Sequence, residues 1–282
     1  MNSLIFPIAT VTAIGVICAV MLSVASKIMA VEVDERAEQL RAFLPGANCG
    51  ACGFAGCDGY AAALISDAGP TNNGGGVKSN LCTPGGPSVS RAISALLGLD
   101  PADVVTKVAI LHCGGDCTFR QNKMEYAGIQ SCAASGQLFG GQSACPHGCI
   151  GLGDCAHVCP NHAITIINGI ARIDSSVCTG CGLCARTCPN RIITLESDSI
   201  MTAVICASPE SGAATRKICG RGCIACGRCK RECPASAITV EGNLARIDYG
   251  KCDACGHCSE VCPVHCIQQT SFAGIFQVPS RV

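Results

Sequence analysis

The spacing of the cysteines is the feature of this sequence that could do chemistry. The chain has 282 residues and 27 of them are cysteines, most in CxxC and CxxxC runs beside glycine and proline. Disulfides within such short runs would be strained, whereas metal centres use thiolates at this spacing. Three cysteines in CxxCxxC curl one turn of backbone around an iron-sulfur cluster, and a cysteine before proline reaches a neighbouring cluster. We therefore predict several iron-sulfur centres rather than a disulfide scaffold.

An internal repeat with a period of 74 residues covers the C-terminal half of the chain. The segment AITIINGIARID from Ala163 matches AITVEGNLARID from Ala237, which indicates two copies of one structural unit. Each copy contains a CxxxCP motif, a short β-hairpin and a second cysteine motif, the layout of a two-cluster ferredoxin. The matching cysteines are Cys145, Cys149, Cys155, Cys159, Cys178, Cys181, Cys184 and Cys188 in the first copy, and Cys219, Cys223, Cys229, Cys233, Cys252, Cys255, Cys258 and Cys262 in the second.

Each cluster of a two-cluster ferredoxin takes three cysteines from one motif and the cysteine before proline from the other motif. By this rule, three ligand sets for 4Fe-4S clusters are complete in the repeat. Zinc-like sites or free thiols are the alternative interpretation. The complete sets are Cys159, Cys178, Cys181 and Cys184 in the first unit, and Cys223, Cys226, Cys229 and Cys262 beside Cys233, Cys252, Cys255 and Cys258 in the second.

One set of the first unit lacks a ligand, because Leu152 stands where the second unit has Cys226. Either Cys145 supplies the fourth thiolate, or the cluster is 3Fe-4S. We favour Cys145, since a cysteine that close can fold back onto the same loop. Against this, the second unit has Cys219 at the equivalent position although its own set is complete with Cys226. The remaining ligands of this set are Cys149, Cys155 and Cys188.

Other cysteines lie outside these motifs. The CxxCx4C motif of NCGACGFAGC, with a distant fourth cysteine, predicts another 4Fe-4S cluster, with zinc as the alternative. That set is Cys49, Cys52, Cys57 and Cys82. Five more cysteines remain, and either four of them hold a sixth cluster or they are buried or free thiols: Cys113, Cys117, Cys132, Cys206 and Cys219. Cys266 aligns with Ile192 in the repeat and is interpreted as an apolar filler. The prediction is thus five 4Fe-4S clusters, with a sixth left open.

We expect the N-terminal segment to hold these centres at a membrane. The first 26 residues carry no charge, and residues 4–26 are long enough to span a bilayer as one helix. A cleaved signal peptide, with a small-residue site at Ser23 and Ala25, is the competing interpretation. The first basic residues follow the apolar run, so the positive-inside rule predicts a single-pass protein of the cytoplasmic membrane with its cluster domains on the cytoplasmic side.

The rest of the pattern predicts an α+β chain. Helical spacing of apolar residues predicts short helices over 33–44, 58–67 and 87–98, and a β-type run follows at 104–111. The predicted domains are a transmembrane anchor at 1–26, a small helical 4Fe-4S domain at 30–100, a connecting cysteine-containing segment at 101–144, tandem ferredoxin-like two-cluster units at 145–205 and 206–270, and a tail at 271–282.

Charge and missing motifs exclude several function classes. The formal net charge is zero, which gives no general attraction to nucleic acid, so no nucleic-acid partner is predicted. The sequence has no GxGxxG loop, Walker motif or partnered nucleophile, so no catalytic residue is predicted and an electron relay fits. Basic residues near the second unit either compensate cluster charge or bind an acidic ferredoxin: Arg216, Lys217, Arg221, Arg228, Lys230 and Arg231.

These motifs together resemble one family. The chain is similar to the B subunit of Rnf complexes in the order of its motifs. An apolar N-terminal helix and AVEVDER come first, then the block FLPGANCGACGFAGC from Phe43, and then GCIGLGDC and the ferredoxin motifs. Rnf complexes are membrane-bound, ion-translocating ferredoxin:NAD oxidoreductases. The resemblance implies an electron-relay subunit that accepts electrons from soluble ferredoxin and passes them to other Rnf subunits, which hold flavins and the NAD site. The duplicated ferredoxin unit is similar to that of longer members.

A second hypothesis remains open at this point. A membrane-anchored polyferredoxin that serves another oxidoreductase would need the same cysteine motifs and the same N-terminal helix. Partner proteins that co-purify from membranes would distinguish the two functions.

Overall fold

The computed structural model describes residues 2–28, 35–67, 76–100, 102–198 and 202–269. The tail predicted at 271–282 lies outside these residues. The chain divides into two compact units, residues 1–39 and 40–282. The second unit contains all the cysteine motifs.

The first unit contains a long helix, α1 (Asn2–Ile28). It covers the apolar segment in which the sequence predicts a helix. Among the residues that the structure describes, no helix meets the length and apolar character that crossing a membrane requires. The transmembrane anchor predicted at 1–26 therefore stays a prediction.

Among the described residues, three helices flank the first cysteine motif and its distant fourth cysteine in the chain. They are α2 (Glu35–Phe43), α3 (Gly56–Asp67) and α4 (Gly86–Leu97), and they confirm the helices predicted from apolar spacing. Leu40, Tyr60, Leu64 and Ile93 form their buried core. Gly98 ends α4 in the left-handed conformation, with φ of 67°, which favours glycine at this position.

Within the described residues, eight short strands form the sheets of the repeat region, and each sheet is an antiparallel pair. The first four are β1 (Lys107–Leu111), β2 (Ile164–Ile167), β3 (Ile170–Ile173) and β4 (Ile193–Ser197). The others are β5 (Thr202–Val204), β6 (Ile238–Glu241), β7 (Leu244–Ile247) and β8 (Ile267–Gln269).

Two equivalent hairpins confirm the hairpin predicted in each copy of the repeat. The pair β2–β3 turns at Asn168 and Gly169, and the pair β6–β7 turns at Gly242 and Asn243. All four turn residues have positive φ, between 51° and 72°. Asn and Gly tolerate this conformation, which two-residue turns need in order to follow the twist of the strands.

The structural repeat begins earlier in the chain than the sequence repeat. Strand β1 pairs with β4, with Leu111 opposite Ile193, and β5 pairs with β8, with Val204 opposite Ile267. Because β4 and β8 are equivalent in the repeat, β1 and β5 are also equivalent. The 74-residue period does not relate β1 to β5, since the connections that follow them differ in length. For this reason the sequence pattern alone placed the start of the repeat at residue 145.

In the part of the repeat region that the structure describes, there are also six helices of four to seven residues. They are α5 (Cys132–Gly136), α6 (Asp154–His157), α7 (Leu183–Thr187), α8 (Gly212–Ile218), α9 (Arg228–Arg231) and α10 (His257–Glu260). Helices α6 and α7 contact each other in the first copy, and α9 and α10 do so in the second.

Candidate iron-sulfur centres

Each ferredoxin motif has the same local backbone. A glycine in the left-handed conformation precedes a one-turn helix, and the third cysteine of the motif is the second residue of that helix. The left-handed turn lets the chain curl back, so that cysteines close in sequence face one pocket. The four glycines are Gly153, Gly182, Gly227 and Gly256, with φ between 70° and 90°.

Two complete ligand sets surround well-defined pockets. A pocket of about 320 Å³ is lined by Cys159, Cys178, Cys181 and Cys184. Another of about 310 Å³ is lined by Cys223, Cys226, Cys229 and Cys262. Backbone N–H groups also donate to the ligand sulfurs, as from Ala163 to Cys159 Sγ at 3.3 Å. Four thiols around a pocket, with N–H donors directed at sulfur, are the donor set that a 4Fe-4S cluster needs.

The thiols of the third complete set lie close enough to act on one another. Burial raises the pKa of Cys258 to about 11, and the charges of nearby cysteines add to this effect: Cys252, Cys229, Cys255 and Cys233. The N–H of Ala237 donates to Cys233 Sγ at 3.4 Å, as Ala163 does in the first copy. Cys255 is exposed, which places this set at the surface of the unit.

Cys132, rather than Cys145, lines the pocket of the set that Leu152 leaves one thiol short. A pocket of about 340 Å³ is lined by Cys132, Cys149, Cys155 and Cys188. Leu152 precedes the left-handed Gly153, as Cys226 precedes Gly227, so the loop keeps its form without its middle thiol. Cys145 is the fourth ligand that the sequence favours, because it is close in the chain, but it does not line this pocket.

The carboxylate of Asp154 brings Cys132 to the pocket. It accepts hydrogen bonds from the N–H groups of Cys132 and Ala133, at 2.9 and 3.0 Å, and from the Ser131 hydroxyl at 3.0 Å. Partial burial disfavours the charged carboxylate, but the bonds from Ala133, Cys132 and Ser131 outweigh it and lower the pKa of Asp154. Asp154 therefore ties α5 to the first turn of α6, which carries Cys155.

The helical domain brings together the four cysteines predicted there. Burial raises the pKa of Cys82, with contributions from the nearby charges of Cys57, Cys52 and Cys49. The N–H of Cys57 donates to Asn48 Oδ1 at 2.8 Å, which fixes the start of α3 beside the motif. Arg186 of the first ferredoxin unit donates to the Cys49 carbonyl, so this set contacts that unit directly.

Burial changes the acidity of the ligand thiols. The pKa values of Cys149 and Cys155 are raised to about 12, chiefly by burial and then by neighbouring thiols. The pKa values of Cys184 and Cys229 are raised to about 11 for the same reasons. As free thiols these groups stay protonated at neutral pH, so ligation of iron must release their protons.

A fourth thiol-lined pocket, of about 410 Å³, lies outside the ferredoxin motifs. Its thiols are Cys113, Cys145, Cys206 and Cys219. Cys113, Cys206 and Cys219 belong to the five cysteines that the sequence left unassigned. Cys145 is the residue that the sequence favoured as the substitute for a thiol at Leu152. Cys117, also among the five, is exposed and does not line this pocket.

Cys266, interpreted from the repeat as an apolar filler, is buried but also faces ligand thiols. Its Sγ lies 3.6 Å from Cys262 Sγ. A hydrogen bond from Cys266 lowers the pKa values of Cys223 and Cys262 to about 6 and about 5. The pKa of Cys266 itself is raised, because its proton is shared with these two sulfurs.

The thiols stand around pockets instead of meeting at a point. Within the described part of the chain, no three Cys, His, Asp or Glu side chains converge closely enough to hold a single metal ion. Bound iron-sulfur clusters would take up and release single electrons at these sets.

Comparison with protein families agrees with this arrangement. A family model for an Fe-S cluster matches residues 44–73, which include the helical-domain motif. Models for a 4Fe-4S dicluster domain match residues 148–192 and 217–263, one in each copy of the repeat. A further 4Fe-4S dicluster model matches residues 177–237, across the two copies.

Similar proteins share most of the chain. The B subunit of the proton-translocating ferredoxin:NAD(+) oxidoreductase complex of Clostridium ljungdahlii is 41% identical over 89% of this chain and 87% of its own length. The B subunit of the Na(+)-translocating complex of Acetobacterium woodii is 38% identical over 95% of this chain and 78% of its own length. The B subunit of an ion-translocating oxidoreductase complex of Methanosarcina acetivorans is 35% identical, over 88% and 92%. The chain therefore belongs to the B-subunit family of the ion-translocating ferredoxin:NAD oxidoreductases, the Rnf complexes.

Proposed function

We propose that this chain is the iron-sulfur subunit that takes electrons from reduced ferredoxin and relays them toward flavin- and NAD-bearing subunits of an Rnf complex. The observation that carries the proposal is the series of four-thiol sets that residues 40–282 hold in one compact unit. When bound, 4Fe-4S clusters supply one-electron transfer. The chain's own residues hold the clusters, shield them from water and present one of them to a donor.

Exposed basic residues support ferredoxin as the donor. Cys226 is exposed, and α9, which carries the exposed Arg228, Lys230 and Arg231, begins two residues after it. Arg231 Nη1 donates to the Cys226 carbonyl at 3.4 Å. An acidic partner would be attracted to this part of the surface, where a ligand thiol is accessible.

We further propose that residues 4–26 anchor the subunit in the cytoplasmic membrane, with the cluster unit on the cytoplasmic side. The support is the uncharged sequence and the basic residues that follow it. Fractionation of cells that produce the full chain or a chain without residues 1–26 tests this. The full chain should stay with membranes after a high-salt wash and the truncated chain should not; a full chain in the soluble fraction would exclude the anchor.

Purification from mildly solubilised membranes tests the relay function. Flavin-bearing membrane subunits should co-purify. After reduced ferredoxin is added, the signals of this chain should show that its iron-sulfur clusters become reduced before NADH appears. Removal of this subunit should stop ferredoxin-dependent NAD reduction, while reduction by an artificial donor to the remaining subunits continues. Co-purification of a hydrogenase or a disulfide reductase instead would support the polyferredoxin function and contradict the Rnf relay.

A further inference from the structure

A buried arginine lies beside the thiol set that Leu152 leaves one thiol short. Arg120 is only 8% exposed. Its guanidinium donates to the carbonyl of Cys149, whose thiol belongs to that set, and to the carbonyl of Gly169 at 2.8 Å. Its Nε has no hydrogen-bond partner among the described residues. The guanidinium is therefore held against the loop that carries Cys149, with one donor unused.

Arg120 brings a full positive charge to this loop, because no carboxylate neutralises it. The ion pairs of the described residues do not include Arg120. Asp116, a buried carboxylate of the same segment, pairs with Arg172 at 3.6 Å instead. Arginine stays protonated in proteins, and a buried charge without a partner is costly. Negative charge at the neighbouring thiol set would compensate it.

The acidity of the ligand thiol shows the effect of that charge. Burial is the main cause that raises the pKa of Cys149, and the charge of Arg120 acts in the opposite direction. A positive charge that favours a thiolate also favours the additional electron of a reduced cluster, because both changes make the site more negative. Salt screens such an effect only weakly at a buried position.

The second copy of the repeat has no buried cation at the equivalent place. Arg120 lies in the connection 113–145, whose counterpart is 206–219: each begins two residues after an equivalent strand, β1 or β5, and their last residues are 74 positions apart. The basic residues of the shorter connection, Arg216 and Lys217, are exposed. Among all the residues that the structure describes, Arg120 is the only buried basic side chain.

The equivalent thiol set of the second copy has a weaker neighbour. The thiol of Cys266 faces the sulfurs of Cys223 and Cys262 there. A thiol S–H is a weak and neutral donor, whereas a guanidinium carries a full charge. Two equivalent sets therefore have different groups beside them, and the group with the larger electrostatic effect is in the first unit.

We propose that Arg120 raises the reduction potential of the Cys149 set above that of the equivalent Cys223 set. The positive charge stabilises the reduced state more than the oxidised state, because the reduced state has one more electron. Arg120 keeps its proton in both states, so it acts as a positioning residue for charge and not as a proton donor.

The difference in potential gives electrons a direction, and this consequence rests on the relay function proposed above. Reduced ferredoxin gives one electron to the Cys223 set, which passes it to the Cys149 set and is oxidised again. The first unit in turn contacts the helical domain, through Arg186 and the Cys49 carbonyl. Electrons would thus move from the second unit to the first, toward the N-terminal part of the chain.

An EPR-monitored redox titration of the anaerobically purified full chain tests the proposal. The signal of the Cys149 set is identified by its loss in Cys149→Ser. Arg120→Gln removes the charge and should lower the potential of this set, whereas Arg120→Lys keeps the charge and should lower it less. The potential of the Cys223 set should change less than that of the Cys149 set. Lys123→Gln, at an exposed lysine of the same connection, is the matched control and should shift neither potential.

Several results would contradict the role of Arg120. An unchanged potential in Arg120→Gln at full iron content would show that the charge has no effect, and equal shifts in Arg120→Gln and Arg120→Lys would assign the arginine a packing role. If the variants lose clusters, the wild-type chain decides: a Cys149 set with a potential at or below that of the Cys223 set would overturn the proposal. Predicted potentials without ferredoxin-dependent NAD reduction would contradict the relay function alone.

Discussion

At the scale of single residues, one thiol of a four-thiol set comes from a different part of the chain in the first ferredoxin unit. In three of the four ferredoxin loops the residue before the left-handed glycine is a cysteine, and in the fourth it is Leu152. The first copy has 32 positions from Cys113 to Cys145, whereas the second has 13 from Cys206 to Cys219. The longer connection contains α5, and α5 begins with Cys132, so the same insertion that lengthens the first copy restores its fourth thiol.

We expect that two substitutions can return the fourth thiol of this set from position 132 to position 152. Cys132→Ser should convert the cluster of Cys149, Cys155 and Cys188 to a three-iron form, which is paramagnetic when oxidised and visible by EPR. Adding Leu152→Cys to that variant should remove the signal, since the loop backbone matches that of Cys226. Adding Leu152→Cys to Cys145→Ser should restore nothing. Rescue of the Cys145 variant instead would assign Cys145 to this cluster.

Cys266 is expected to tune the potential of one cluster. Its thiol faces the sulfurs of Cys262 and Cys223, and hydrogen bonds to ligand sulfur stabilise the more negative, reduced state. Cys266→Ala should lower the reduction potential of this cluster in an EPR-monitored titration, while Cys266→Ser, which keeps a donor, should lower it less. Equal shifts in both variants would point to packing rather than the hydrogen bond.

At the scale of elements, the turns of the cysteine motifs are fixed by contacts with strands. Gly180 has φ of +65°, and a Cβ there would overlap the backbone carbonyl of Lys107 at the start of β1. The loop that carries Cys178 and Cys181 therefore packs directly on a strand that precedes it by about 70 residues. The N–H of Ala109, in the same strand, donates to Cys178 Sγ at 3.5 Å.

This contact predicts a difference between two glycine substitutions. Gly242→Ala, at φ of +55° with open space around it, should cost about 1–2 kcal/mol from backbone strain alone. Gly180→Ala adds the overlap with β1, so it should lower the melting temperature further and reduce the visible absorbance of the clusters. Equal melting temperatures in the two variants would mean that β1 can move away without cost.

The sequence predicted the elements that local patterns define and missed the contacts that depend on distant segments. The sequence predicted the helices at 58–67 and 87–98 and a short hairpin in each copy of the repeat. The place of Cys132 was not predictable from spacing, because it depends on Asp154 binding the start of a five-residue helix. Likewise, Cys113 and Cys206 are recognised as equivalent positions only from the structure, because each follows a strand, β1 or β5, that pairs with an equivalent strand of the repeat. The transmembrane anchor stays a prediction.

At the scale of the whole molecule, thiols occupy positions that apolar side chains fill in other proteins. The core of the second ferredoxin unit has ten buried residues, and six of them are cysteines. The chain has no tryptophan and few other aromatic residues, so little else is available to fill these cores. The clusters therefore contribute to the fold as well as to electron transfer.

The basic surface beside Cys226 is the place where we propose that an acidic ferredoxin donates its electrons. If an acidic ferredoxin binds there, Lys230→Glu with Arg231→Glu should slow electron uptake at low ionic strength by about tenfold or more. The difference should shrink as salt rises above about 0.15 M, where the Debye length is about 8 Å. Stopped-flow mixing with reduced ferredoxin measures the rate, and iron content should stay unchanged. Arg91→Glu, at an exposed position of α4, serves as the control. If α9 only compensates cluster charge, the double variant will instead match the wild-type rate at every salt concentration.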